Sequence, residues 1–203
     1  MSDQGDPTPV RTSRGERTAA KLRGAAREVF ATRGYAAARV EDVVATAGVS
    51  HGTFYTYFDN KAAALDALID VTAAELQAVV EEPWEGPDVA RTIAAVIDRF
   101  VAVFGEHRDV MVTWLEASAH EPHFRQRLRE VREGYVLRVA EQLRPALEGS
   151  GHDPHTAAAA LVAMVEGYAT EGLGADDEDA RAAVVRTLAA LWFGGLLGLT
   201  QPD

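Results

Sequence analysis

The sequence predicts an all-α protein, with a three-helix N-terminal unit followed by a larger helical body. Three observations carry this expectation. Apolar residues recur at spacings of three and four almost throughout. No alternating Val/Ile/Thr run bounded by turn dipeptides reads as a strand pair. The breaks between periodic segments are short clusters of Gly, Pro, Asp and Asn. The 203 residues suit one compact domain or two small ones, and 47% hydrophobic residues suffice for a core.

Residues 1–13 are polar, acidic and Pro-containing, and lack the apolar segment of a signal peptide. They read as a flexible arm of a cytoplasmic protein. A first helix is expected over 14–33, where Leu22, Ala25, Ala26, Val29 and Phe30 form one apolar stripe and Gly34 ends it. A two-turn helix follows over 39–47. Gly48, Val49 and Ser50 then lead into a short third helix that runs to Phe58, and Asp59-Asn60 breaks the pattern. Residues 14–60 form the first domain on this reading, and 61–203 the second. Helices in the second are expected near 61–81, 88–105, 108–120, 123–147, 154–172 and 177–198. Turn signals separate them at 83–87, 106–108, Pro122, 149–154 and 175–179.

There is no cysteine, which excludes disulfides and thiolate metal sites. No uninterrupted apolar run approaches the ~18–20 residues of a membrane span, so no membrane partner is expected. The net charge of −11 is unevenly spread. Residues 10–61 carry nine Lys/Arg against five Asp/Glu, a net of +4, whereas 62–203 carry a net of −13. A basic segment on an acidic body suits a phosphate-facing surface separate from the rest.

The stretch GVSHGTFYTYF, residues 48–58, places four aromatic residues in five positions. Gly48 permits the positive φ that closes the second helix. Ser50 is placed as N-cap of the third helix, and Val49 with Phe54 forms a hydrophobic staple. Two short helices joined by a tight turn make a helix-turn-helix. At ~100° per residue, Phe54 and Phe58 face inward. Gly52, Thr53, Thr56 and Tyr57 fall on the opposite arc, flanked by His51 and Tyr55. An exposed glycine in a first turn is poor for helix stability, and makes sense where another surface approaches the backbone. The hydroxyls suit phosphates or base edges, and Lys61, opening the next helix, suits a phosphate. On these residues alone, an ordinary helical hairpin with a decorated surface is an equal reading.

The longer stretch AAREVFATRGYAAARVEDVVATAGVSHGTFYTYFDNKAAALDALI, residues 25–69, resembles the TetR family of bacterial transcriptional regulators. The resemblance lies in the helix ending in Phe and Gly-Tyr, the Ala-Gly-Val-Ser turn, the Gly-Thr-Phe-Tyr recognition helix and the Lys-led fourth helix. It implies an all-helical homodimer of nine or so helices, with a ligand-binding and dimerisation body. It also implies a repressor that leaves double-stranded, palindromic operator DNA when a small apolar or aromatic effector binds. By position, its DNA contacts fall on Ser50, His51, Gly52, Thr53, Tyr55, Thr56 and Tyr57, and its phosphate-binding lysine on Lys61. Two departures leave the operator sequence open. His51 stands where many members have a basic residue or proline. Ala38-Arg39 stands where many have Thr or Ser, and Arg39 then offers phosphate a charge instead of a hydroxyl. VFGEHRDVM and TLAALWFGGLLG look like actinobacterial members of the ethionamide-repressor kind, which are similar in having a deep apolar channel.

Phe100, Phe104, Met111, Trp114, Met164 and Tyr168 are large apolar groups on central helices. Together they suit the wall of an apolar effector pocket, although each alone suits the core better. Glu116 and Glu166 are candidate polar anchors. The last helices read as a dimer seam. Val184, Leu188, Leu191, Trp192, Gly195 and Leu196 supply its stripe, and Ala160, Ala163 and Gly167 a small-residue edge. The other reading is a stripe buried within one subunit. The histidine pairs His120/His123 and His152/His155 each enclose a proline that breaks the helix a paired metal site needs, so no metal and no cofactor are expected. No nucleophile motif or paired catalytic carboxylate stands out, and no enzyme is expected. A DNA binder without an effector and a helical carrier or enzyme are the alternatives.

Overall fold

The computed structural model describes residues 10–84, 89–171 and 178–196. These form nine α-helices and no strand. The first four are α1 (Val10–Ala37), α2 (Val40–Ala47), α3 (His51–Tyr57) and α4 (Lys61–Glu81). The others are α5 (Val89–Glu106), α6 (Arg108–His120), α7 (Pro122–Leu143), α8 (Pro154–Glu171) and α9 (Glu178–Leu196). A 3₁₀ turn, Arg144–Leu147, extends α7. The all-α class and the order of elements are those the sequence predicts. α1 already runs from Val10, inside the arm expected over 1–13; residues 1–9 lie outside the described residues. So do parts of the turns expected over 83–87 and 175–179, and the end of the last expected helix.

Contacts divide the chain into Met1–Asp70 and Val71–Asp203. The boundary expected at 60/61 therefore moves ten residues into α4. The cause is the burial of Ala64, Leu65, Leu68 and Ile69, which serve the core of the first unit. That core also holds Leu22, Ala26 and Phe30 of α1, Val43 of α2 and Phe54 of α3.

One cation fastens this unit. α1 is broken at Gly34, whose φ of 74° is open to glycine and strained for any side chain. Beyond the break, the carbonyls of Tyr35, Ala36 and Ala38 converge on the Lys61 ammonium, which donates to them at 2.7, 3.2 and 3.1 Å. The ammonium also lies 4.5 Å from the centroid of the Tyr35 ring. All three Lys61 donors are thus spent on the fold. The ammonium thereby ties the start of α4 to the end of α1, a role in the fold that the sequence reading did not foresee.

In the second unit α7 packs on α6 and α8, and α5 packs on α9 and α8. Trp114 is buried and its indole N–H donates to the Phe124 carbonyl at 3.1 Å, tying α6 to α7. The carbonyls at the end of α4 and just beyond it are held from α7. Arg138 donates to Glu81 O at 3.2 Å and Gln142 to Glu82 O at 3.0 Å. Asp153 caps α8: its Oδ2 accepts from the Thr156 backbone N–H at 2.8 Å and from the Thr156 hydroxyl at 2.7 Å. These bonds hold the Asp153 carboxyl below the usual aspartate range.

Lys61→Met should destabilise the first unit by about 2–3 kcal/mol, the worth of hydrogen bonds to a charged group. Urea unfolding followed by far-ultraviolet circular dichroism reads this; an unchanged midpoint would mean that water replaces the ammonium at no cost. Asp153 generates a pH prediction. Its folded pKa is depressed, so its stabilisation is present above the unfolded value of about 3.9 and is lost as pH falls below it. Asp153→Asn should keep the cap and remove that part of the acid loss, seen as a flatter melting-temperature profile between pH 6 and pH 3.

Candidate functional site

The first candidate surface is the outer face of α3. Gly48 closes α2 with φ 58° and ψ 44°, the left-handed conformation the turn needs, and its N–H returns to Ala45 O. Ser50 caps α3 by accepting from the Thr53 N–H at 3.1 Å. Phe54 and Phe58 are buried, whereas Tyr55 is 55% exposed and Tyr57 36%. His51, Gly52 and Thr56 share the exposed side, and Thr53 is half-buried. The four aromatics of this stretch thus divide into two core anchors and two surface groups.

The hydroxyls on this face are not equally free. Thr56 donates back to Gly52 O at 2.9 Å. Ser50 and Thr53 share a bond of 2.9 Å in addition to the cap. His51 Nε2 lies 3.7 Å from a Glu41 carboxylate oxygen. Arg39 stands at the N-cap of α2, where its backbone N–H donates to Asp42 Oδ2 at 3.1 Å; the residue is exposed. Asp42 also pairs with Arg33 at 3.2 Å. A Cβ added at Gly52 would meet nothing closer than Ser50 Oγ at 3.9 Å, so the fold itself does not require glycine there.

The second candidate is an apolar cavity in the unit Val71–Asp203, with about 30 Å³ of free space. Its wall comes from α4 (Val80), from Trp84, and from Ile93, Val96, Ile97 and Phe100 of α5. Tyr135 and Val139 of α7 and Leu161, Val162 and Val165 of α8 complete it. Phe100 meets Tyr135 edge to face, with centroids 5.9 Å apart at 83°. Of the six expected pocket residues, only Phe100 lines this cavity. Phe104, Met111 and Trp114 are buried away from it as core, and Met164 and Tyr168 are half-exposed on α8 without reaching it. The wall is mostly β-branched aliphatic, so a search for large aromatics passed over it. The legible signal was the Ile93, Val96, Ile97, Phe100 stripe at spacings of three and four.

Glu166 is ion-paired with Arg132 at 2.9 Å and is not part of the cavity wall. Burial raises the Glu166 carboxyl, and the arginine partly offsets this. The Tyr135 phenol is pushed well above its usual range, first by burial and then by the Glu166 charge.

The expected seam divides. Ala160, Ala163 and Gly167 are exposed on α8, Leu191 is 58% exposed on α9, and Val184 is half-buried. Leu188 and Trp192, by contrast, are buried within the chain at 0% and 5% exposure. They pack α9 onto its own subunit, which corrects their assignment to a partner-facing stripe. The exposure of Gly195 and the side chain of Leu196 lie outside what the structure describes. Among the described residues the pairs His120/His123 and His152/His155 form no metal cluster. His155 instead bonds Glu133 at 2.9 Å. Glu75, Glu106 and His107 bring ligand atoms within 4.8 Å of one another at the surface, where His107 and Glu75 already bond at 2.9 Å.

Comparison with known proteins places the chain among regulators. Residues 22–68 match the family model described as bacterial regulatory proteins, tetR family. Residues 89–192, just over half of the chain, match the model described as BetI-type transcriptional repressor, C-terminal. Among relatives, the HTH-type transcriptional regulator EthR of Mycolicibacterium smegmatis is 28% identical, over 93% of this chain and 94% of that protein. The fatty acid metabolism regulator protein of Bacillus subtilis is 32% identical over 55% of this chain, and that match spans 59% of the relative's length. Among solved structures, the transcriptional regulator FadR from Bacillus subtilis in complex with stearoyl-CoA superposes with a TM-score of 0.71. It shares 23% identity, over 87% of this chain and 98% of that one.

The burial pattern of α3 is testable by stability alone. Phe54→Ala should cost about 3–5 kcal/mol, whereas Tyr55→Ala, which loses only its edge-to-face contact with Phe54, should cost no more than about 1.5 kcal/mol. Equal losses in denaturant unfolding would show that Tyr55 packs in the core.

Proposed function

Since the chain belongs to the TetR family of bacterial regulatory proteins, and so is a DNA-binding transcriptional regulator, we propose that it is a homodimeric repressor that an apolar small molecule releases from its operator. The observation that carries the DNA half is the outer face of α3. A capped helix after a left-handed glycine turn buries Phe54 and Phe58 and leaves Gly52, Tyr55 and Tyr57 outward, on a segment of net charge +4. Such a helix fits a major groove, where the backbone at Gly52 comes close to the DNA and the tyrosines reach phosphate or base edges. His51 and Arg39 add contacts at its margins.

The effector half rests on the cavity. Its wall is almost wholly apolar, and α4 carries Lys61 at its first residue and Val80 of the cavity wall near its last. A molecule that opens the cavity acts on the same helix that fastens the reading unit. The relatives' names and the FadR complex support an acyl-type effector over a polar one. Dimerisation is assigned to the exposed edge of Ala160, Ala163 and Gly167 together with Leu191 and Val184. A Cβ added at Gly167 meets nothing within 4 Å, which leaves room there for a second helix.

Three outcomes test this reading. Gly52→Ala should raise helix stability by up to about 1 kcal/mol and yet weaken operator binding tenfold or more, about 1.4 kcal/mol. Stronger or unchanged binding in a gel-shift titration would remove Gly52 from the interface. Leu191→Glu should yield folded monomers by sedimentation, whereas Leu188→Ala should lower stability by about 2–5 kcal/mol through an internal cavity. A dimer undisturbed by Leu191→Glu would move the seam elsewhere. Effector and operator should oppose each other by about 5–150-fold, with equal factors in both directions. Ligand affinity that is the same with and without operator would sink the release mechanism.

A further inference from the structure

Away from the cavity and the α3 face, the second unit gathers one more set of side chains with a shared chemistry. Glu75 of α4, Glu106 at the end of α5 and His107 directly after it each bring one ligand atom to the same place. Two carboxylate oxygens and an imidazole nitrogen lie within 4.8 Å of one another. His107 Nε2 and Glu75 Oε2 are 2.9 Å apart. Ligands bound at about 2.0–2.2 Å to a single ion stand roughly 3.3–3.6 Å apart around a tetrahedron, so closing this set takes movements of the order of 1 Å. Both glutamates are exposed and can make them.

The nitrogen is the fixed member of the set. The His107 side chain is only 12% exposed. Its backbone is held at the junction of α5 and α6, where its N–H returns to Val103 O and Phe104 O and its carbonyl accepts from the Met111 N–H at 3.0 Å. The imidazole is thus aimed by the fold, and the two carboxylates are free to adjust to what it holds. Among the described residues, His107 is the one partner of Glu75. No lysine or arginine neutralises that carboxylate, in a part of the chain that is strongly acidic.

We propose that Glu75, Glu106 and His107 form a site for a divalent transition ion of the zinc class, which joins α4 to the α5–α6 junction. The donor set gives the class of ion. Magnesium and calcium take oxygen ligands almost alone, whereas imidazole mixed with carboxylate suits zinc and its neighbours. Three protein ligands leave a position for water, so the ion is exchangeable, unlike one in a closed four-ligand structural site. The chain has no cysteine, so no thiolate site competes for it. This site stands apart from the effector reading and does not rest on it.

The experiment uses the full chain without DNA, stripped with a chelator that is then removed. Zinc chloride is titrated at pH 7.5 by calorimetry, and cobalt(II) by visible absorption. One ion per chain is expected, undisturbed by magnesium in about a hundredfold excess. Glu75→Gln, Glu106→Gln and His107→Gln should each weaken zinc at least about tenfold and remove the cobalt band. His155→Gln, at another histidine bonded to a glutamate, should change neither. Zinc should raise the melting temperature of the unaltered chain and not that of the three variants. Both glutamates are exposed, so their glutamine variants keep the fold and carry the test even where His107→Gln is damaged. Four results would each overturn the proposal: no saturable zinc binding, displacement of zinc by magnesium, binding that survives both glutamine variants, or an equal loss in His155→Gln. None of them bears on the repressor reading, which stands or falls on DNA binding.

Discussion

The first unit is organised around the convergence of three backbone carbonyls on one ammonium. Gly34 breaks α1, and the chain beyond it points Tyr35 O, Ala36 O and Ala38 O toward a common centre. Three carbonyl dipoles aimed at one point repel each other unless a cation sits there, and lysine supplies a compact charge with three donors. The next residues after that cluster start α2, and α2 leads through Gly48 into α3. The direction in which α3 presents its outer face therefore depends on a bond network more than ten residues away in sequence from it on the α1 side. An arginine, planar and forked, would not fill the same centre.

What the sequence disclosed follows the range of the forces involved. The turn at Gly48, the cap at Ser50 and the division of Phe54 and Phe58 from Tyr55 and Tyr57 are set by residues within one or two turns, and local patterning resolves them. Helix limits were legible for the same reason, because Pro, Gly and Asp signals act locally. The part Lys61 plays in the fold was not legible because its partners lie 23 to 26 residues away, and no spacing rule announces that carbonyls will meet it. The cavity was largely illegible. Its wall joins α4, α5, α7 and α8, so its location is a property of how four helices pack. Large aromatics such as Trp114 satisfied core packing instead, and small aliphatics made the wall. Leu188, Leu191 and Trp192 show the remaining ambiguity. A periodic stripe states that a face is apolar, but not whether its own subunit or a second one covers it.

The two units treat polar groups in opposite ways. In the first, donors and acceptors are matched tightly, down to a threonine hydroxyl folded back onto its own helix. In the second, a phenol and an indole are left without partners beside a hydrocarbon cavity. The contrast suits a rigid reading surface served by a responsive body.

The committed hydroxyls of α3 have an evolutionary corollary. Ser50, Thr53 and Thr56 serve the helix itself, so their replacement damages the scaffold. His51, Tyr55 and Tyr57 are exposed, with Tyr55 edge to face on Phe54 and His51 facing Glu41. On the DNA-facing role proposed for α3, a duplicated copy of this gene drifts toward a new operator at those three positions at less cost to the fold than at the hydroxyls. Specificity is the changeable layer of this surface, and its carpentry is the fixed one.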